Sequence, residues 1–122
     1  VQPAISELKK SLEIHLLSAD TLGKADEVAA LLDVRLTRIV PGNEAKQKAN
    51  YVCTLGAEKV IALGQGANDS LMLKQAGLGI CVLSPEGTAA DALTSADIVA
   101  RDVLSALDLL SHPSRIVATL RK

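Results

Sequence analysis

Apolar residues recur at two spacings along this chain, and the two spacings alternate. Ile5, Leu8 and Leu12 fall at helical spacing with Glu7, Lys9 and Lys10 on the other side, which predicts a helix over residues 2–11. Residues 13–19 (EIHLLSA) form a short apolar segment and predict a buried strand. Asp20 and Thr21 can cap a second helix whose apolar positions are Ala25, Val28, Ala29 and Leu32. Residues 34–40 (VRLTRIV) alternate apolar and polar side chains, as an exposed or edge strand does.

Pro41-Gly42-Asn43 is a turn, with Asn43 placed to cap a third helix. The apolar face of that helix is Ala45, Ala49, Val52 and Leu55, and Gly56 ends it. Residues 59–63 predict a strand, 69–76 a short helix stopped by Gly77, and 78–83 (LGICVL) another buried strand. Ser84-Pro85 is suited to start a further helix. Residues 96–100 predict a short strand. Asp102 caps a helix bearing Val103, Leu104, Leu107 and Leu110, and His112-Pro113 breaks it and begins a last one. Strands that alternate with helices and are themselves nearly all apolar predict an α/β fold of three layers, a mostly parallel sheet with helices on both faces. One domain over residues 1–122 is expected, without repeat or linker.

Composition narrows the function. Aromatic residues are 1% of the chain, so the core is aliphatic and base stacking is hardly available. The formal net charge is −1 with no basic stripe, which leaves no footprint for nucleic acid or a membrane surface. The apolar runs are far shorter than a membrane span, and no signal peptide opens the chain, so the cytoplasm is the default expectation. Cys53 and Cys81 lack metal or redox spacing and read as small buried hydrophobes.

In parallel sheets the ligand lies beyond the carboxyl ends of the strands. Those ends carry Ser18-Ala19-Asp20-Thr21 and Gly64-Gln65-Gly66-Ala67-Asn68-Asp69, and Lys48 stands on the helix between them. A hydroxyl, an ammonium, a glycine-rich turn and a carboxylate form a coherent set for phosphate with Mg²⁺. Taken singly, Ser18 also reads as a turn or cap, Lys48 as a solvated helix lysine, and the Gly-x-Gly-Ala-Asn-Asp stretch as a turn with a helix cap. Asp69 stands where a dinucleotide fingerprint has its third glycine. His15 reads as a packed strand residue and His112 as a cap or surface residue.

The order LLSADT (16–21), Pro41-x6-Lys48 and VIALGQGANDSLMLKQAGLGICV (60–82) resembles the haloacid dehalogenase (HAD) superfamily. Within it, the likeness is to the phosphorylation domain of P-type ATPases and their small soluble relatives, and it covers most of the chain. The resemblance implies a Rossmann-like fold, phosphate binding by Ser18, Ala19, Lys48 and Asn68, and Mg²⁺ binding by Asp69 and Gln65. Lys48 is preferred to Lys46 because the family places an apolar residue seven positions on, as Leu55 stands here. The implied ligand is a small phosphorylated molecule or a phosphoprotein, and no cap domain is visible.

Two departures from the family pattern matter. Gln65 replaces the first acid of the last block. No Asp-x-Asp and no Asp-x-x-Gly-Thr occurs in the 122 residues, so the family's nucleophilic aspartate is absent. The chain also opens on Val1, with Met72 its one methionine. The expectation is that a first strand and its loop, roughly 30 residues, have been lost. Their loss predicts direct pairing of the strands at 13–19 and 59–63, open edges, or homo-oligomerisation and strand donation by a partner. Two functions follow: a Mg²⁺-dependent phosphohydrolase whose nucleophile is elsewhere, inactive in this chain alone, or a non-catalytic phosphate- or metal-binding regulatory domain.

Overall fold

The structure is a computed structural model and describes residues 2–19 and 23–120. It is α/β, built of parallel strands in two sheets that alternate with helices along the chain, as the apolar pattern predicts. Contacts divide the chain into two compact units, Val1–Glu44 and Ala45–Lys122. No helix among the described residues is long and apolar enough to cross a membrane.

The first unit runs α1 (Gln2–Leu8), β1 (His15–Ser18), α2 (Lys24–Leu32) and β2 (Arg35–Arg38). β1 and β2 pair in parallel, with His15 opposite Arg35 and Ser18 opposite Arg38. Ile5 and Leu8 of α1 and Ala25 and Ala29 of α2 are buried at helical spacing, and the two helices pack on each other. The expected cap, Asp20-Thr21, lies outside the described residues. β1 and β2 form a two-stranded sheet of this unit.

The second unit contains α3 (Glu44–Leu55), β3 (Ile61–Gly64), α4 (Ser70–Gln75), β4 (Leu78–Val82), α5 (Ala90–Ser95), β5 (Ile98–Ala100), α6 (Val103–Leu110) and α7 (Pro113–Leu120). Its sheet has the order β3-β4-β5, all parallel. Strand alternation gives the sheet two unlike faces. Ile80, Val82, Ile98 and Ala100 form one, buried against Ala106 of α6 with Leu109, Leu110 and Ile116 around them. The other is made of small residues in register, Ala62 opposite Gly79 and Gly64 opposite Cys81. A Cβ on Gly79 would stand 2.3 Å from the carbonyl oxygen of Leu73, so α4 lies directly on that small-residue face.

Local differences from the sequence reading have local causes. Ser84-Pro85 does not start a helix: the Ser84 hydroxyl accepts from the Glu86 amide, and the Ser84 amide donates to Thr88 Oγ1. Gly87, at φ +103°, completes the turn, and α5 begins at Ala90. Asn43 adopts left-handed backbone (φ 56°) just before α3. Cys53 is exposed on α3 rather than buried, whereas Cys81 is fully buried. Asp102 caps α6 as expected, its Oδ1 accepting from the Ser105 amide at 2.7 Å.

Two outcomes test this account. Gly79→Ala forces its methyl into the Leu73 carbonyl, and urea denaturation should show a loss of about 1–3 kcal/mol, typical of overpacking. The Ser105 amide holds the Asp102 carboxyl below the usual carboxylate range. A lowered folded-state value stabilises above the ordinary pKa, and that stability is lost as pH falls through the lowered value. Asp102→Ala should therefore lower the melting midpoint at neutral pH, and the gap from wild type should close as pH drops below about 3.9.

Candidate functional site

β3 delivers Gly64 to its carboxyl end, and the chain turns at once through Gln65 and Gly66 into a 3₁₀ turn, Ala67–Asp69, that feeds α4. Asp69 closes this turn on itself. Its Oδ2 accepts from the Gln65 amide at 3.0 Å and the Gly66 amide at 3.1 Å, while its own amide donates to the Gly66 carbonyl at 2.9 Å. The closure requires glycine at 64, because a Cβ there would lie 2.6 Å from the Cβ of Asp69. The Gln65 carbonyl is fixed from the other side by the Ala89 amide at 3.1 Å.

Lys48 reaches this turn from α3. Its ammonium donates to Asp69 Oδ1 at 2.7 Å and to Asn68 Oδ1 at 3.0 Å. The Lys48 and Asp69 side chains are each only 13% exposed, so the pair is largely removed from water. An ammonium has three N–H donors, and these two bonds leave one for a ligand. Lysine only donates, so Asn68 must turn its oxygen toward Lys48 and present its NH₂ elsewhere. Lys46, the alternative lysine, is exposed.

The structure thus brings Lys48, Asn68, Asp69 and the Gln65–Gly66 amides together. Ser18 and Ala19 stand half-buried at the carboxyl end of β1 in the other unit, where the Ser18 carbonyl accepts from the Ile39 amide at 2.8 Å. His15 is packed beside Glu13, and His112 is half-exposed near Asp108, as read from the sequence. Sequence reasoning missed the place of Cys81 beneath the turn, whose signal was the pairing of Gly64 with the centre of LGICVL. Burial first, and the Asp69 charge second, push its thiol above its ordinary value. It also missed the hydroxyls of Ser84 and Thr88, which follow β4 at the same edge of this sheet. An open cleft of about 450 Å³ in the first unit includes Lys9, Glu13, Asp33 and Arg35. It lies at the amino-terminal ends of β1 and β2, and its charges already pair with one another.

Mg²⁺ asks for one or two carboxylates together with water or phosphate oxygens. Asp69 is the one carboxylate of this turn, and three internal donors occupy its oxygens. Gln65 is exposed and brings an amide in place of an acid. Among the described residues no group of three or more His, Cys, Asp or Glu is placed to hold a metal ion. The donor set fits an anion, and it does not fit a divalent cation.

No family model matches the chain. It is 50% identical over 64 residues to the uncharacterized protein MJ0073 of Methanocaldococcus jannaschii, covering 52% of this chain and 69% of that protein. It is 34% identical over 118 residues to a probable copper-exporting P-type ATPase of Archaeoglobus fulgidus, covering 88% of this chain but only 14% of the ATPase. In fold it is similar to the 3-deoxy-D-manno-octulosonate 8-phosphate phosphatase of Moraxella catarrhalis, at TM-score 0.73 and 17% identity over 98% of this chain and 75% of that one. It is likewise similar to a Streptomyces avermitilis protein assigned to the HAD family of hydrolases, at TM-score 0.67 and 20% identity over 82% of this chain and 57% of that one. With the order of its motif residues, the shared fold and these relatives together, the chain belongs to the HAD superfamily.

Proposed function

We propose that this chain is the phosphoryl-holding part of a HAD-type phosphohydrolase that acts on phosphoester or phosphoanhydride bonds. The observation that carries the reading is the Lys48 ammonium, fixed at a strand's carboxyl end by Asp69 and Asn68 with one N–H left over. That N–H and the Asn68 amide donate to phosphoryl oxygens, and the ammonium offsets their charge. Ser18 and Ala19 keep a phosphate role by resemblance alone. In the complete reaction an aspartate attacks phosphorus, the leaving oxygen departs, and water hydrolyses the aspartyl-phosphate. No residue in the motif blocks of this chain is that aspartate, so the 122 residues bind and do not turn over.

Gln65 favours a second reading, a non-catalytic phosphate-binding or regulatory domain on the same scaffold, since an acid of the family pattern is replaced. The two readings part on whether an Asp-x-x-Gly-Thr segment is encoded just upstream. A partner strand beside β3, which ends the order β3-β4-β5, belongs to the first reading, because the apolar run Val60-Ile61-Ala62-Leu63 carries no charge to block pairing.

Titration with inorganic phosphate, followed by amide chemical shifts, should move the peaks of residues 64–69. Lys48→Ala should weaken binding about tenfold, equivalent to about 1.4 kcal/mol. Ser18→Ala, titrated separately, tests the role that rests on resemblance. A phosphatase assay on the chain should read background, and turnover abolished by Asp69→Ala would refute its inactivity.

A further inference from the structure

We infer that the Lys48–Asn68 site binds an oxyanion without a divalent cation, and that Asp69 is a positioning residue for Lys48 rather than a metal ligand. The inference rests on the phosphate-binding reading above and specifies how that binding works.

What the site presents outward decides its ligand. Asp69 Oδ2 is filled by two backbone amides, and Oδ1 accepts the ammonium at 2.7 Å. A carboxylate has about four lone-pair positions, so one remains on Oδ1, beside Lys48. A Mg²⁺ bound there, at about 2.1 Å from the oxygen, would stand within about 5 Å of the ammonium with no second carboxylate to offset the repulsion. Beyond these internal bonds Lys48 keeps one N–H and Asn68 keeps its NH₂, and both are donors. The Asn68 orientation is itself set by Lys48, because a second donor facing the ammonium would leave both without an acceptor. Besides that position on Oδ1, the side-chain oxygen of exposed Gln65 is an acceptor in this turn, and it carries no charge. With Lys48 and Asp69 balancing each other in charge, these neighbouring donors suit the acceptor oxygens of phosphate or a phosphomonoester, and they offer a cation no ligand.

The test uses the whole chain, stripped of metal with a chelator. Inorganic phosphate is titrated with and without millimolar Mg²⁺, and Mn²⁺ is added separately to read paramagnetic broadening of the amide peaks. Phosphate affinity should change by less than about twofold with Mg²⁺. Mn²⁺ should leave residues 64–69 unbroadened in the wild type and broaden them in Gln65→Asp, which adds the missing carboxylate. Asp69→Asn should weaken phosphate binding by the same factor with and without Mg²⁺, whereas a metal ligand would lose only the Mg²⁺-dependent part. Selective Mn²⁺ broadening in the wild type, or a tenfold gain in phosphate affinity with Mg²⁺, overturns the inference and leaves the phosphate reading standing. Absence of phosphate binding in both conditions overturns the two together.

Discussion

Three segments of the second unit meet at one carboxylate. Asp69 accepts from Lys48 on α3 and from the Gln65 and Gly66 amides after β3, and it stands at the entry to α4. A charge taken out of water costs several kcal/mol, and the cost is recovered only where opposite charge and hydrogen bonds saturate it. Here three donors do so. Removing either partner alone leaves the other charge uncompensated, which typically costs about 3–5 kcal/mol for a buried pair. The pair is therefore weak evidence of net stability and strong evidence of a fixed geometry.

That geometry depends on what lies beneath it. Asp69 reaches back to the 65–66 amides because α4 begins close above the sheet, and α4 lies close because Ala62, Gly64, Gly79 and Cys81 give the face almost no height. The opposite face is built from Ile80, Val82 and Ile98 and pays no such attention to height, since α6 packs on it through side chains. One strand thus serves two functions by alternation: β4 anchors the core with Ile80 and Val82 and makes room for the site with Gly79 and Cys81.

The same alternation explains what could be read in advance. Apolar runs and helical spacing located the strands and most helices, because burial on both faces leaves a continuous signal in segments such as LGICVL. Asp102 was legible as a cap because its partner, Ser105, is three residues away. The turn at Ser84–Gly87 was not, because Pro85 suits a turn and a first helical turn equally, and the hydroxyl bonds of Ser84 and Thr88 decide between them. Lys48, Asn68 and Asp69 could be nominated from their places at the strand ends and from the resemblance, but not their bonds. The Lys48–Asp69 contact spans 21 residues, and nothing local in either segment announces it. The assignment of Asp69 to a metal came from its residue type and the resemblance, and neither carries the three donors its oxygens accept in the folded turn.

Gln65 then ceases to be an isolated oddity. A second carboxylate in this turn would stand roughly 5 Å from Asp69 and repel it by about 3 kcal/mol at an effective dielectric near 20, unless a cation lay between them. With glutamine that repulsion is gone, and Lys48 alone neutralises Asp69. The substitution and the ion pair are mutually consistent: the one removes the need for a cation, and the other occupies the oxygen a cation would use. On the proposed reading, a turn balanced in this way meets a ligand's negative charge through the remaining Lys48 and Asn68 donors.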